Sequence, residues 1–149
     1  MRTRLLNGIK VIDMSTFVAG PCCAKILGEW GAEVIKIESP KGDLWRYNGN
    51  DSEDENPIFA TDNYGKRFLS VDMKKDEGAK IVYQLLGDAD IFITNFREEA
   101  LERLNLTYGQ LSKKYPKLIY AHVQGYGKEG LLRVIYTRKG KLILAAVVL

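Results

Sequence analysis

The sequence predicts an α/β fold with a mostly parallel sheet flanked by helices. Short β-branched apolar runs alternate with longer segments whose apolar residues recur at helical spacing. Because helices then connect successive strands, the strands are expected to lie parallel. The 149 residues, 46% hydrophobic and 28% charged, are enough for one domain with a core of its own.

The first predicted unit is a strand, a helix and a second strand. GIKVIDM (8–14) is a short β-branched run, and Pro21 suits the first turn of a helix, where a missing N–H is tolerated. Gly31 is expected to end this helix, and Glu33–Glu38 is predicted as the second strand. The crossover should be right-handed. The helix is expected to pack on the sheet through a stripe at positions i, i+3, i+4 and i+7, namely Cys23, Ile26, Leu27 and Trp30.

Residues 40–59 are predicted to form a long loop, because glycine, proline, asparagine and acidic residues predominate there. We interpret its acidic run as a solvated surface. A third strand is predicted at 68–71, followed by a helix that is capped by Asp76 and ended by Gly87. The core stripe of this helix is expected to contain Ile81, Val82, Leu85 and Leu86.

The remaining elements continue the alternation. Ile91–Thr94 is predicted as the fourth strand and residues 98–104 as a short helix. A further helix is expected to begin after a cap at Thr107. A fifth strand is predicted at 118–123, and the glycine-rich loop GYGKEG (125–130) follows it.

Charge and cysteine content exclude several classes of protein. The net charge of +3 fits a pocket for an anionic ligand but is too small for a dedicated nucleic-acid binder. The adjacent Cys22 and Cys23 cannot readily bridge each other, which predicts a reduced compartment and two structural helix positions. The N-terminus lacks the apolar region of a signal peptide, and the longest apolar run, LILAAVVL (142–149), is too short to span a bilayer. A cytoplasmic protein without a membrane partner is therefore expected.

Common catalytic and binding motifs fit poorly. The G-x-G-x-x-G fingerprint of dinucleotide binding is represented only by Gly20, although Glu38 ends the second strand where an acidic residue could hold a ribose. The only histidine, His122, lies in an apolar strand, and we interpret it as a packed residue. The sequence has no His/Cys cluster for zinc, no nucleophile elbow and no Walker loop, so no metal site is predicted.

Basic residues lie near the predicted strand ends. Lys74 follows the third strand, Arg97 follows the fourth, and Arg103 lies six residues further on. In open parallel sheets, ligands bind beyond the carboxyl ends of the strands. The three side chains could therefore converge on a polyanion such as a phosphorylated nucleotide. The alternative is that each one is a solvated surface charge.

Four segments agree together with one known family. They are GIKVIDMSTFVAGP, LGEWGAEVIKIESPKGD, NYGKRFLSVDMKKDEG and DADIFITNFREEALERLNLTYGQLSKKYPKLIYAHVQGYGKEG, and they cover residues 6–130 in the family's order. The chain thereby resembles the N-terminal part of class III CoA-transferases, the group that includes formyl-CoA:oxalate and carnitine CoA-transferases. The resemblance implies a Rossmann-like domain that binds coenzyme A, an acyl-CoA and a carboxylic acid as substrates, and a homodimer of interlocked chains.

The resemblance also implies which residues contact coenzyme A. Lys74, Arg97 and Arg103 are expected to neutralise its phosphates. Ser39 stands where some members carry an arginine for this purpose, and Glu98-Glu99 replaces the proline-glycine pair that is usual after Arg97. The implied set falls into three groups: Val18 and Ala19; Val71, Asp72, Met73 and Lys74; and Asn95, Phe96 and Arg97 with Arg103 nearby.

The end of the chain departs from the family pattern. Members continue from the glycine loop into a proline and then a glycine-aspartate motif, whose aspartate is the nucleophile. Here Leu131 stands at the proline position, and no aspartate follows Asp90. We therefore expect residues 1–130 to be the coenzyme A-binding part of a truncated enzyme that lacks a catalytic residue and is inactive alone. Residues 131–149 are expected to be an atypical tail, either a hairpin or a frame-shift product.

Two other functions stay open at this point. 2-Methylacyl-CoA racemases belong to the same superfamily, and their acid-base residues also follow the glycine loop. A stand-alone module that binds coenzyme A or a nucleotide would explain a binding half without a nucleophile.

Overall fold

Five parallel strands form the centre of the structure, a computed structural model that describes residues 4–47 and 56–125. The strands are β1 (Lys10–Met14), β2 (Glu33–Glu38), β3 (Arg67–Ser70), β4 (Ile91–Thr94) and β5 (Ile119–His122). Their order in the sheet is β3-β2-β1-β4-β5, so β1 lies in the middle. All four neighbouring pairs are parallel, which confirms the predicted α/β fold.

Helices cover both faces of this sheet. They are α1 (Ala19–Glu29), α2 (Pro57–Asp62), α3 (Asp76–Gly87), α4 (Glu98–Arg103) and α5 (Tyr108–Lys114), with a 3-10 turn at Leu44–Arg46. On one face, Ala24 of α1 packs with Val11 of β1. On the other face, Ile12 packs with Val82 of α3 and with Leu111 of α5. Apolar strand residues therefore point to both sides, as expected for a parallel sheet between two helical layers.

Helix α1 begins and ends close to the predicted positions. It starts at Ala19, and Pro21 is its third residue. Gly31 follows the helix with a φ of +111°, a backbone conformation that favours glycine. Gly31 is therefore the stop that the sequence predicted.

The face that α1 turns to the sheet differs from the predicted stripe. Cys23 and Leu27 pack against the core as predicted. The other half of the stripe is wrong, because Ile26 is 44% exposed and Trp30 is 52% exposed. Small residues take the buried positions and let the helix lie close to the strands: Gly20, Pro21 and Ala24.

The predicted long loop contains two short elements. Asp43 caps the 3-10 turn by accepting the N–H of Trp45 at 3.0 Å. Asn56 caps α2 by accepting the N–H of Ile58 at 2.9 Å. The prediction of an unbroken loop is thus wrong, because Asn56 before Pro57 is a helix start signal. The acidic run at 51–55 lies outside the described residues.

One of the two predicted helix caps is confirmed. Thr107 precedes α5, and Gln110 Oε1 accepts both its backbone N–H at 3.1 Å and its hydroxyl at 2.7 Å. Asp76 is not a cap, because Lys75 occupies that position and Asp76 is the first residue of α3. Its carboxylate still lies in the first turn, where the helix dipole favours negative charge.

The predicted stripe of α3 is confirmed at three of four positions. Val82 and Leu86 are buried, and Leu85 packs against the same core. Ile81 is 43% exposed, because it lies about 100° around the helix from Val82.

Four of the five strand predictions hold within one residue, whereas the first strand, predicted over 8–14, begins two residues later, at Lys10. The second and fourth strands match at both ends, the third begins one residue early, and the fifth is shorter by one residue at each end. The part of the chain described here holds no helix long and apolar enough to cross a membrane. The glycine loop beyond Gly125 and the tail at 131–149 lie outside the described residues.

Candidate functional site

The strand order reverses direction between β1 and β4. From β1 the chain builds outward through β2 to β3, and it then returns to β4 on the other side of β1. Such a switch point leaves a crevice at the carboxyl ends of the strands, where ligands bind in open α/β sheets. The loops at this crevice are residues 15–18, which we call the switch-point turn, and residues 95–97. Residues 71–74 follow β3 at the same edge.

The switch-point turn is clamped by Asn95. The Oδ1 atom of Asn95 accepts the Thr16 N–H at 2.9 Å, and its Nδ2 donates to the Thr16 carbonyl at 2.7 Å. The structure thereby brings together the predicted groups around Val18 and Asn95. The next residue, Phe17, has a φ of +62°, a conformation that non-glycine residues rarely adopt.

A buried ion pair supports the same turn. Lys36 Nζ, in β2, lies 3.2 Å from Asp43 Oδ2, and both side chains are fully buried. Lys36 Nζ donates to the Ser15 carbonyl at 2.8 Å, and Asp43 Oδ1 accepts the Phe17 N–H at 3.3 Å. The contact between the two charges does not have hydrogen-bond geometry. Charge attraction therefore joins the pair, while each member bonds the backbone of the turn.

A second buried ion pair joins β1 to the segment before β3. Lys66 Nζ donates to Asp13 Oδ2, to the Pro21 carbonyl and to Asn63 Oδ1, each at 2.8 Å. The other Asp13 oxygen accepts the N–H of Ser15 at 3.1 Å and also its hydroxyl. Burial lowers the pKa of Lys66, and the Asp13 carboxylate opposes that shift. Three acceptors satisfy the three donors of the ammonium group, so the start of α1 is tied to β1.

Gly20 lets the first turn of α1 lie directly against the switch-point turn. A Cβ at Gly20 would lie 2.4 Å from the Cβ of Ser15. Val18 is the cap residue of α1 and makes no side-chain capping bond, and both it and Ala19 are exposed. Because the first N–H groups of a helix lack partners within it, they are available to an anion.

The turn after β3 is also closely packed. Val71 is buried and donates its N–H to the Glu38 carbonyl at 2.8 Å. Asp72 Oδ1 accepts the N–H of Lys74 at 3.1 Å. A Cβ at Gly78 would lie 2.2 Å from the Asp72 carbonyl oxygen, so the start of α3 abuts this turn. The Lys74 side chain is exposed.

Some predicted site residues are separated from the switch-point turn. Strand β3 is two strands away from β1, which puts residues 71–74 roughly 10 Å from it. Arg97 is exposed where β4 ends, whereas Arg103, also exposed, lies about 9 Å further along the axis of α4. Met73 and Phe96 pack against the core. These two residues therefore offer backbone groups to a ligand more readily than side chains.

His122 supports the segment that follows β4. Its side chain is 10% exposed, and Nε2 lies 2.7 Å from the Phe96 carbonyl, so this nitrogen donates. The other ring nitrogen then accepts from Gln124 Nε2 at 3.1 Å. This placement agrees with the interpretation of His122 as a packed residue.

The two cysteines are free and lie on α1. Cys22 Sγ donates to Asp62 Oδ1 at 3.0 Å. Burial, together with this hydrogen bond, raises the pKa of Cys22 to about 11. Burial also raises the pKa of Cys23. Among residues 4–47 and 56–125, no three His, Cys, Asp or Glu side chains are grouped to hold a metal ion.

Sequence reasoning missed the buried charges. Asp13 and Lys36 did carry a signal, because each interrupts an apolar run predicted to be a strand covered on both faces, and a charge there needs a partner. The partners, Asp43 and Lys66, lie outside the strands. Their pairing depends on the path of the connecting segments, which local sequence pattern does not specify.

Comparison with known proteins gives consistent matches. Residues 6–135 match the family model described as CoA-transferase family III. The chain is 48% identical over 134 residues to the (R)-2-hydroxy-4-methylpentanoate CoA-transferase of Clostridioides difficile, a match covering 87% of this chain and 34% of that relative. It is 40% identical over 133 residues to the cinnamoyl-CoA:phenyllactate CoA-transferase of Clostridium sporogenes, covering 86% and 32%.

A solved structure shares the fold. The CAIB/BAIF family protein from Brucella suis superposes with a TM-score of 0.82 at 35% identity, covering 89% of this chain and 36% of that one. The present chain therefore spans about a third of the length of the curated relatives that it matches.

Proposed function

This chain belongs to CoA-transferase family III, and we propose that it is the coenzyme A-binding half of an enzyme that moves coenzyme A from an acyl-CoA to a free carboxylic acid. The relatives described above are named as CoA-transferases. The structural observation that carries the proposal is the switch-point turn, whose backbone is fixed by side chains beside an exposed helix start.

The backbone around the switch-point turn suits an anionic, hydrogen-bonding ligand. Val18 and Ala19 are exposed where α1 begins, and helix starts favour phosphate and carbonyl oxygens. The Asn95 amide keeps one donor and one lone pair beyond those it uses on Thr16. We assign these groups to contacts with coenzyme A.

The exposed cations suit the phosphates of the same ligand. Residues 71–74 and 95–97 follow strands three positions apart in the sheet, a separation of roughly 14 Å. Coenzyme A is an extended molecule with a diphosphate and a 3′-phosphate, so it can span groups at that distance. We assign Lys74, Arg97 and Arg103 to its phosphates and the backbone of residues 71–74 to its adenine.

Catalysis on this proposal needs a carboxylate from outside the 149 residues, because no aspartate follows Asp90. An aspartate oxygen attacks the acyl carbonyl and displaces the coenzyme A thiolate, which forms a mixed anhydride. The thiolate then attacks the aspartyl carbonyl, releases the first acid and leaves an aspartyl thioester. The carboxylate of the acceptor acid then attacks the aspartyl thioester and displaces the coenzyme A thiolate, which forms a second anhydride. The thiolate attacks the acyl carbonyl of the acceptor, which releases the new acyl-CoA and regenerates the aspartate carboxylate.

We further propose that the transferred acids have apolar side chains. The two relatives at 48% and 40% identity are named for 2-hydroxy-4-methylpentanoate, and for cinnamoyl-CoA and phenyllactate. Phe17 is 40% exposed at the switch-point turn, and its ring packs on Trp45 with centroids 5.8 Å apart. This pair offers an apolar wall next to the proposed coenzyme A contact.

Calorimetric titration of the 149-residue chain with coenzyme A tests the central proposal. We expect saturable binding, weakened about tenfold in Arg97→Ala because a charge-assisted hydrogen bond is lost. Lys10→Ala is the matched control, since Lys10 is exposed at the amino end of β1, and it should leave the affinity unchanged. A folded chain that does not bind coenzyme A, or equal losses in both variants, would contradict the proposal.

Assembly and location belong to the same proposal. We propose that the longer enzyme is a cytoplasmic homodimer, as the family resemblance implies. Light scattering on the full-length enzyme checks the dimer, and a monomer at all concentrations would exclude it.

A stand-alone binding module is the second candidate, favoured by the absence of aspartate after Asp90. The two candidates differ in what happens when a longer polypeptide supplies the missing carboxylate. Restored transfer from acyl-CoA to an acid supports the transferase. Tight coenzyme A binding without transfer in every longer polypeptide tested supports the module.

A further inference from the structure

We propose that Lys36 and Asp43 are positioning residues for the switch-point turn, and that coenzyme A affinity depends on them although neither touches the ligand. This inference rests on the proposed function, because the turn is where coenzyme A is assigned. Both side chains are fully buried, so any effect on a ligand passes through the backbone that they hold.

The backbone conformation of the switch-point turn needs support from residues outside β1. Phe17 adopts a φ of +62° and is 40% exposed, so the packing of its own side chain supports this conformation only in part. Backbone conformations of this kind persist only where surrounding structure fixes them, and they cluster at ligand sites. The fixing contact on the Phe17 N–H is Asp43 Oδ1, at 3.3 Å.

Lys36 holds the residue at the start of the turn. Its Nζ donates to the Ser15 carbonyl at 2.8 Å, which is the shorter of the two contacts. Ser15 in turn lies against Gly20, where no Cβ fits. Displacement of Ser15 would therefore move the first turn of α1, which carries the exposed backbone groups assigned to coenzyme A.

The placement of this pair suggests a role beyond stability. A buried ion pair is often replaceable by apolar residues without loss of stability, because desolvation offsets the attraction. Here both charges also bond the turn, and Asp43 accepts the Trp45 N–H as well at 3.0 Å. The pair therefore links the segment after β2 to the segment after β1 at the ligand-binding edge.

Two double variants separate positioning from stability. Lys36→Met with Asp43→Leu removes both charges and both bonds to the turn. Lys36→Met with Asp43→Asn removes the charges but keeps an oxygen that can accept the Phe17 N–H. In neither variant is a buried charge left unpaired. Leu111→Val, in the core on the opposite face of the sheet, controls for general loosening of the fold.

Each variant is titrated with coenzyme A at a temperature that lies equally far below its own thermal midpoint. The affinities should then decrease in a graded order. We expect the Leu variant to bind about tenfold more weakly than wild type, the Asn variant to recover part of that loss, and Leu111→Val to stay within about twofold. Folded double variants that bind like wild type would overturn the proposal.

Hydrogen exchange of the Phe17 amide, measured in wild type and in the two double variants, provides a test that does not depend on coenzyme A binding. We expect the Phe17 amide to be protected, and its exchange in the Asn variant to stay slower than in the Leu variant. A Phe17 amide that exchanges at the rate of a free peptide in wild type would overturn the proposal. If wild type does not bind coenzyme A, the proposed function fails, whereas this exchange measurement still decides whether the pair holds the turn.

Discussion

Single glycines decide how closely a helix can approach a neighbouring turn. Gly78 in α3 and Gly109 in α5 are both helical, yet their surroundings differ. A Cβ at Gly78 would lie 2.2 Å from a backbone oxygen of Asp72, whereas a Cβ at Gly109 would meet nothing within 4 Å. The same substitution should therefore have opposite effects at the two positions.

We expect Gly78→Ala to lower the free energy of unfolding by about 1–3 kcal/mol, because backbone must shift to admit the methyl group. Gly109→Ala should raise it by up to about 1 kcal/mol through helix propensity. Urea unfolding of both variants measures the difference. Equal effects at the two positions would show that α3 does not abut the turn at 71–74.

The Cys22 thiol gives the stability of the chain a dependence on alkaline pH. Its pKa is raised from the ordinary value of 9.0 to about 11 by burial and by the hydrogen bond to Asp62. The folded chain therefore holds this proton more tightly than the unfolded chain does. The resulting stabilisation is complete below pH 9 and is lost as the pH rises through about 11.

Cys22→Ser isolates this contribution, since serine keeps a donor for Asp62 but does not titrate in that range. We expect the unfolding midpoint in urea to fall more steeply in wild type than in Cys22→Ser between pH 9 and about pH 11. Parallel pH profiles would contradict the assignment to Cys22.

At the scale of elements, the capping box of α5 is the clearest local signal that the sequence offered. Gln110 accepts two hydrogen bonds from Thr107, and the helix has only seven residues. A short helix depends strongly on its ends. Thr107→Ala should therefore destabilise the chain by about 1 kcal/mol, whereas the exposed Lys113→Ala should change stability by less than about 0.5 kcal/mol. Chemical unfolding compares the two, and equal values would contradict a capping role.

Local signals explain which elements could be predicted. The strands and the cap at Thr107 follow from β-branched runs and from one threonine-glutamine spacing, so their observed bounds lie within two residues of the predicted ones. The exposure of the Ile26 side chain could not be predicted from apolar periodicity, because α1 approaches the sheet through Gly20 and Ala24. Small residues carry little hydrophobic signal, although they permit the closest packing.

The segments that follow the strands could be predicted from the sequence, whereas the hydrogen bonds that support them could not. Strand ends are visible in the sequence, so the segments at 15–18, 71–74 and 95–97 could be located. The hydrogen bonds that fix them depend on strand order, which sets Asn95 beside Thr16 and Lys36 beneath Ser15. Long-range pairing of this kind is determined by tertiary structure, and local spacing does not encode it.

For the whole molecule, the free energy of unfolding depends on the Lys66 ammonium, because it neutralises the buried Asp13 carboxylate. Lys66→Met leaves the Asp13 carboxylate buried without its partner, which typically costs about 3–5 kcal/mol. That is a large part of the roughly 5–15 kcal/mol of an ordinary domain. We expect Lys66→Met to show no cooperative thermal unfolding transition above physiological temperature, because most of the variant is already unfolded there. Lys80→Met, on the exposed side of α3, serves as the control.

A cooperative transition in Lys66→Met close to that of wild type would contradict this expectation. The most direct explanation would then be that solvent reaches Asp13. Comparison with the double variant Lys66→Met with Asp13→Asn, which leaves no buried charge, would test that explanation.

The central place of β1 also governs the order in which the chain can fold during synthesis. β1 precedes the other four described strands in the chain, yet one of its neighbours is β4, and the Lys10 N–H donates to the Asp90 carboxylate across 80 positions. Until β4 has left the ribosome, β1 has an unpaired edge that other chains could occupy. Closure of such a long loop must precede the gain from pairing. Translation speed should therefore influence the yield of this chain more than that of a helical bundle of equal length.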